Sequence, residues 1–154
     1  MSFDGTYSLT VAAAHRMPVF RREIAARLMV ETLVLYRGQR KYLLHEFVVM
    51  PEHVDVLITL AEGTTVERAA QFIKGGFAFR MGVAAVWEDG FRSYRIKDAR
   101  EYEATRAKIR MHPVRARMAG REHQYMYSSA AGLVRMDAAP METQRQVMEA
   151  VLVG

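Results

Sequence analysis

The chain has 154 residues, 51% of them apolar, a formal net charge of +5 and no cysteine. That length fits one domain with a sizeable core, and the missing cysteines exclude disulfides, thiolate metal sites and cysteine nucleophiles. No run approaches the roughly 18 apolar residues of a membrane span, and "MSFDGTYSLTV" lacks the basic-then-apolar pattern of a leader, so a cytoplasmic protein is expected.

Tyr7, Leu9, Val11 and Ala13 alternate, which predicts a strand with one buried face. "VFRREIAARLMVETLVLYR" follows as a helix, with Phe20, Ile24, Leu28 and Leu35 on one stripe. "KYLLHEFVVM" and "HVDVLITL" are apolar and β-branched enough for central strands. The link between them, at Pro51-Glu52, is so short that only an antiparallel hairpin can use it. "TTVERAAQFIKGGFAFRMG" predicts a second helix, with Thr64 and Glu67 as a capping box. Gly75-Gly76 inside it predicts either close approach of another backbone or of a ligand, or a helix that kinks or stops there, because each costs roughly 1 kcal/mol against alanine. "FRSYRI" is a short strand. Asp98 then caps a helix, with Glu101 at its third position, that is expected to run to about Met111 and loosen near Pro113.

The order β-α-β-β-α-β is the split βαβ pattern. It predicts an α+β, ferredoxin-like fold: an antiparallel sheet with helices packed on one face. Residues 1–132 are expected to form the domain and 133–154 an appendage. "METQRQVMEAVLV" there reads either as a short amphipathic helix or as a loosely held tail.

Side chains two apart on a strand face the same way, so His53 and Asp55 project together, with Val54, Val56 and Ile58 on the other face. An imidazole beside a carboxylate is either an ion pair or part of a divalent-metal site. His112, at the end of the last helix, would complete a facial set of two histidines and one carboxylate. His45 reads as a satisfied sheet histidine. The basic excess suits a polyanion such as nucleic acid. Arginines crowd "RAKIRMHPVRARMAGR", residues 106–121, and arginine is well shaped for bidentate phosphate contacts.

"TYSLTV", "PVF", "FVVMPEHVDVLIT", "QFIKGGFAFR", "VWEDGFRSYRIKDAREYE", "HPVRARM" and "YMYSSA" follow one another over residues 5 to about 131. Together they resemble the single-tyrosine HUH transposases of small insertion sequences, in the branch of REP-associated tyrosine transposases. The resemblance implies a ferredoxin-like fold and the cutting and rejoining of single-stranded or hairpin DNA. In that chemistry a tyrosine attacks a phosphodiester and a metal held by a His-hydrophobic-His motif polarises the phosphate.

The chain departs from the motif at three positions. His53-Val54-Asp55 replaces His-hydrophobic-His, Lys108 stands at the tyrosine and His112 at the asparagine before Pro113. The implied metal set is His53, Asp55 and His112, holding magnesium or manganese. An ammonium is protonated at neutral pH and is no nucleophile unless desolvated, so Lys108 predicts an impaired reaction. Lys74, Arg80, Arg95, Arg106, Arg110, Arg115 and Arg117 are the expected DNA contacts. Two alternatives stay open: a transposase that uses Tyr94, Tyr102, Tyr125 or Tyr127 as nucleophile, and a metal enzyme built on the 2-His-1-carboxylate set. Relatives act as monomers or dimers, so a homodimer is also open.

Overall fold

The computed structural model describes residues 3–153. Strand β1 (Phe3–Ala12) leads through two short 3-10 turns into α1 (Glu23–Gly38). Strands β2 (Tyr42–Val49) and β3 (His53–Ala61) form the hairpin expected at Pro51-Glu52, closed by Met50 N–H donating to the His53 carbonyl at 2.8 Å. Then come α2 (Val66–Met81), β4 (Arg92–Arg95), α3 (Ala99–Arg115) and α4 (Met141–Val153). The sheet order is β2-β3-β1-β4, antiparallel throughout. This is the split βαβ arrangement, with β3 and β1 central.

The alternation expected for β1 holds: Leu9, Val11 and Ala13 are buried. Leu9 and Val11 join Val54, Val56 and Ile58 of β3 in the main core, which α1 and α2 cover. The opposite face carries Val48, Met50 and Leu57, covered by Tyr102 and Ile109 of α3. The helices were expected on one face of the sheet. Only α1 and α2 share one, and α3 takes the other, the face on which His53 and Asp55 stand.

Four local expectations shift. The α1 stripe is rotated: Ala25, Ala26, Met29 and Leu33 are buried, whereas Ile24 is exposed. Phe20 sits in the turn before the helix, so it does not share the helical period. The cap of α2 is Thr65, whose hydroxyl accepts from Arg68 N–H at 3.2 Å, one residue beyond Thr64. The helix α2 does not stop at the glycines, and what approaches Gly76 is a side chain rather than a backbone. A Cβ on Gly76 would lie 2.5 Å from the Tyr36 ring, while Gly75 has nothing within 4 Å. Finally, α3 continues through Pro113 to Arg115, with Ile109 and Pro113 both buried. Asp98 caps that helix as expected, accepting from Glu101 N–H at 2.9 Å.

The outer edge of β2 is covered by chain from beyond α3. Val49 N–H donates to the Tyr127 carbonyl, Phe47 N–H to Ser129 Oγ, and Leu44 N–H to Asp137 Oδ2. Pairing an edge this way removes a template for aggregation.

Candidate metal centre and nucleic-acid interface

His53 and Asp55 open the central strand β3, and His112 descends on them from the last turn of α3. His53 Nε2 and His112 Nδ1 lie 3.0 and 3.4 Å from one oxygen, Asp55 Oδ2. The two imidazole centroids are 4.9 Å apart. All three donor atoms fall within 4.8 Å of one another. Ligands at about 2.1 Å from one ion and at right angles to each other are about 3 Å apart, so two nitrogens and an oxygen so spaced fit a divalent ion.

Supporting groups come from neighbouring elements. Thr10 of β1, in register with Asp55, donates from Oγ1 to Asp55 Oδ1 at 2.5 Å. Burial pushes the Asp55 carboxyl up, but hydrogen bonds from His112, His53 and Thr10, with the charge of His53, hold it well below the usual carboxylate range. Asp55 therefore presents an anion at neutral pH. On the far side of His53, Nδ1 lies 3.8 Å from Glu52 Oε1. That is beyond hydrogen-bond reach, so Glu52 acts on His53 through its charge alone.

The three side chains stand in an open cleft of about 410 Å³ between β1, β4 and α3, and Lys108 lines it, one helical turn before His112. Of the four tyrosines considered, Tyr94 alone lines this cleft. Its hydroxyl donates to Glu101 Oε1 at 2.6 Å, which holds the proton on and raises its pKa. Tyr102 is buried against the sheet and titrates well above its ordinary value through desolvation. Tyr125 donates to the Val49 carbonyl at 2.7 Å, and burial pushes it up to about 12. Tyr127 packs against the main core.

The expected DNA contacts divide. Arg106 Nε and Arg110 Nη1 lie 2.9 and 3.3 Å from the buried Glu46 carboxylate, and Arg110 also pairs with Glu122 at 3.0 Å. Those two arginines fasten α3 to β2. Lys74 Nζ donates to the Glu88 and Gly90 carbonyls at 2.9 Å each, fixing the loop before β4. Arg95 lies over the Tyr7 ring, 5.7 Å from its centroid. Arg80, Arg115 and Arg117 are exposed, with Arg80 on α2 across the sheet from the cleft. His45 is the satisfied sheet histidine expected, with Nε2 2.7 Å from Thr59 Oγ1 and Nδ1 3.1 Å from the Asp137 carbonyl.

Sequence reasoning missed Thr10, Arg16, Glu52 and Arg92, all of which line the cleft. Glu52 is adjacent to His53 in the chain and could have been flagged there. Thr10 and Arg92 reach the site only through strand register.

No protein-family model and no curated protein matches the chain. Solved structures do match, two of them as follows. A REP-associated tyrosine transposase bound to a REP hairpin superposes with a TM-score of 0.73 at 22% identity, over 92% of this chain and 89% of that one. A transposase-like protein from Deinococcus radiodurans R1 matches with a TM-score of 0.53 at 19% identity, over 70% of this chain and 89% of its own. Over nearly its whole length, the chain shares the fold of the REP-associated tyrosine transposases.

Proposed function

We propose that the chain is a transposase-type protein that binds single-stranded or hairpin DNA and holds a divalent metal on His53, Asp55 and His112, but does not perform tyrosine transesterification. One juxtaposition carries this reading: the His-Asp-His group and Lys108 share a cleft in a chain with the fold of a hairpin-bound transposase. Two imidazoles in the set favour manganese over magnesium, which prefers oxygen donors. When bound, such an ion would polarise a phosphate oxygen. The side chains do the rest. Asp55 balances the charge, Thr10 orients Asp55, and Lys108 occupies the place of the nucleophile without a hydroxyl to attack.

Calorimetric titration with manganese should give one site per chain, abolished in Asp55→Ala with the fold intact. Heat release that survives this change would place the metal elsewhere. Fluorescence anisotropy should show tighter binding to a hairpin with a single-stranded flank than to a duplex of equal length. The affinity should fall steeply with salt. Equal, salt-insensitive binding to both would remove the DNA reading.

A further inference from the structure

The turn that follows β1 is unusual. His15 and Arg16 both adopt left-handed backbone, at φ 54° and 52°. Two consecutive non-glycine residues in that region persist only where the surroundings hold them, and such outliers gather at functional sites. Backbone bonds do hold them. Ala13 N–H donates to the Glu52 carbonyl at 2.8 Å and Ala14 N–H to the Val86 carbonyl at 2.8 Å. The first bond ties the turn to the hairpin residue next to His53. The strained turn therefore sets Arg16 at a fixed place on the rim of the metal cleft.

Two further cations reach the rim from other directions. Arg92 of β4 pairs with Thr10, which pairs with Asp55, so all three lie in one row on the same face of the sheet. Strands are about 4.8 Å apart, which puts Arg92 about two strand spacings from Asp55, within range of its side chain. Lys108 approaches from α3. Arg92 and Lys108 are exposed, and neither enters an ion pair among the described residues. Arg16 has one loose pair, to Glu52 at 3.8 Å, with its side chain 80% exposed. A pair so open contributes little and does not occupy the guanidinium. The adjoining hollow is lined by Glu88 and Asp89 as well as by Arg16 and Arg92.

We propose that Arg16, Arg92 and Lys108 form a seat for one phosphodiester group of a DNA strand, directly over the His53–Asp55–His112 group and independent of any metal. The inference rests on the DNA-binding reading above and adds to it the residues that fix the strand's register. Two guanidiniums donate in forks to phosphate oxygens, and the ammonium supplies a third positive charge in the position of the nucleophile. Arg16 is a binding and positioning residue here, supplied by strained backbone.

The test uses the full chain in EDTA and a labelled hairpin whose single-stranded flank carries one uncharged methylphosphonate, moved along the strand. At one position the neutral linkage should weaken wild-type binding about tenfold, the loss of one charge-assisted phosphate contact. The same linkage should have a smaller effect on Arg16→Gln, which keeps Arg92 and Lys108 and should already bind about tenfold more weakly. Arg16→Gly relieves the left-handed turn and should melt no lower than the wild type while binding as weakly as Arg16→Gln. Hairpin binding by the wild type with no position whose effect shrinks in Arg16→Gln would overturn the seat and leave the DNA reading standing. Failure of the wild type to bind any hairpin would overturn both.

Discussion

On the proposed reading, Lys108 stands where the tyrosine chemistry would need a hydroxyl. Lys108 and His112 are one turn apart on α3 and line one cleft with Asp55. Wild-type protein should therefore form no covalent adduct with single-stranded DNA in denaturing gels. Lys108→Tyr restores a hydroxyl in that cleft and should give a measurable adduct with manganese present. An adduct in the wild type would point to another tyrosine, with Tyr94 the first to map. His45 makes a different prediction. Burial lowers its pKa from 6.5, an effect only partly opposed by its hydrogen bond to the Asp137 carbonyl. Between the folded value and 6.5 the unfolded chain binds a proton that the folded chain does not, so stability is lost as pH falls through that window. Denaturant midpoints should fall between about pH 8 and about pH 5, and His45→Gln, although less stable at about pH 8, should lose part of that slope.

The helices set the geometry of the cleft. The position of α3, and with it Lys108 and His112, depends on Glu46, which is buried beneath Arg106 and Arg110 and accepts from Ser129 Oγ at 2.6 Å. Glu46→Ala leaves two arginines without their carboxylate and should destabilise the fold by about 3 kcal/mol. Chemical denaturation would read the loss. Manganese affinity should weaken in parallel as α3 loosens. On α2, the adjacent glycines should respond oppositely. Gly75→Ala, with open space around it, should stabilise by about 1 kcal/mol. Gly76→Ala drives its methyl into the Tyr36 ring, breaks the Tyr36–Phe72 stack at 5.4 Å, and should be neutral or destabilising. Equal gains at both positions would mean that the stack contributes nothing.

For the whole molecule, the question is where the folded unit ends. A boundary after residue 132 was expected, yet Val134 and Met136 pack on the main core, and the Asp137 carboxylate accepts from Arg37 at 3.0 Å and from Leu44 N–H at 2.8 Å. Helix α4 buries no side chain, and its link to the body includes Gln146 Oε1 accepting from Ala99 N–H at 2.7 Å. A chain ending at Pro140 should lose about 1 kcal/mol, the value of one helix cap. A chain ending at Gly132 should lose about 3 kcal/mol or more, since Asp137 is removed from a partly buried ion pair. Thermal melts of the two truncations distinguish the cases. Among the described residues no helix is long and apolar enough to cross a membrane.

Much of the fold and half of the site were legible in local pattern. The period of two along "HVDVLITL" placed His53 and Asp55 on one face, and the short link at Pro51-Glu52 admitted only an antiparallel hairpin, because both rules act over a few residues of backbone. The position of His112 one turn beyond Lys108 followed from the helical repeat. The face that α3 covers was decided by tertiary structure, because Tyr102 and Ile109 could pack against either side of a sheet whose two faces are both apolar. So was the fate of the cations. A sequence displays the charge of Lys74, Arg106 and Arg110 but not the carbonyls and the Glu46 carboxylate that occupy them, since those partners lie from 14 to 64 residues away. Arg16 and Arg92 stayed hidden for the same reason: only strand register and a strained turn bring them to the cleft that holds Asp55.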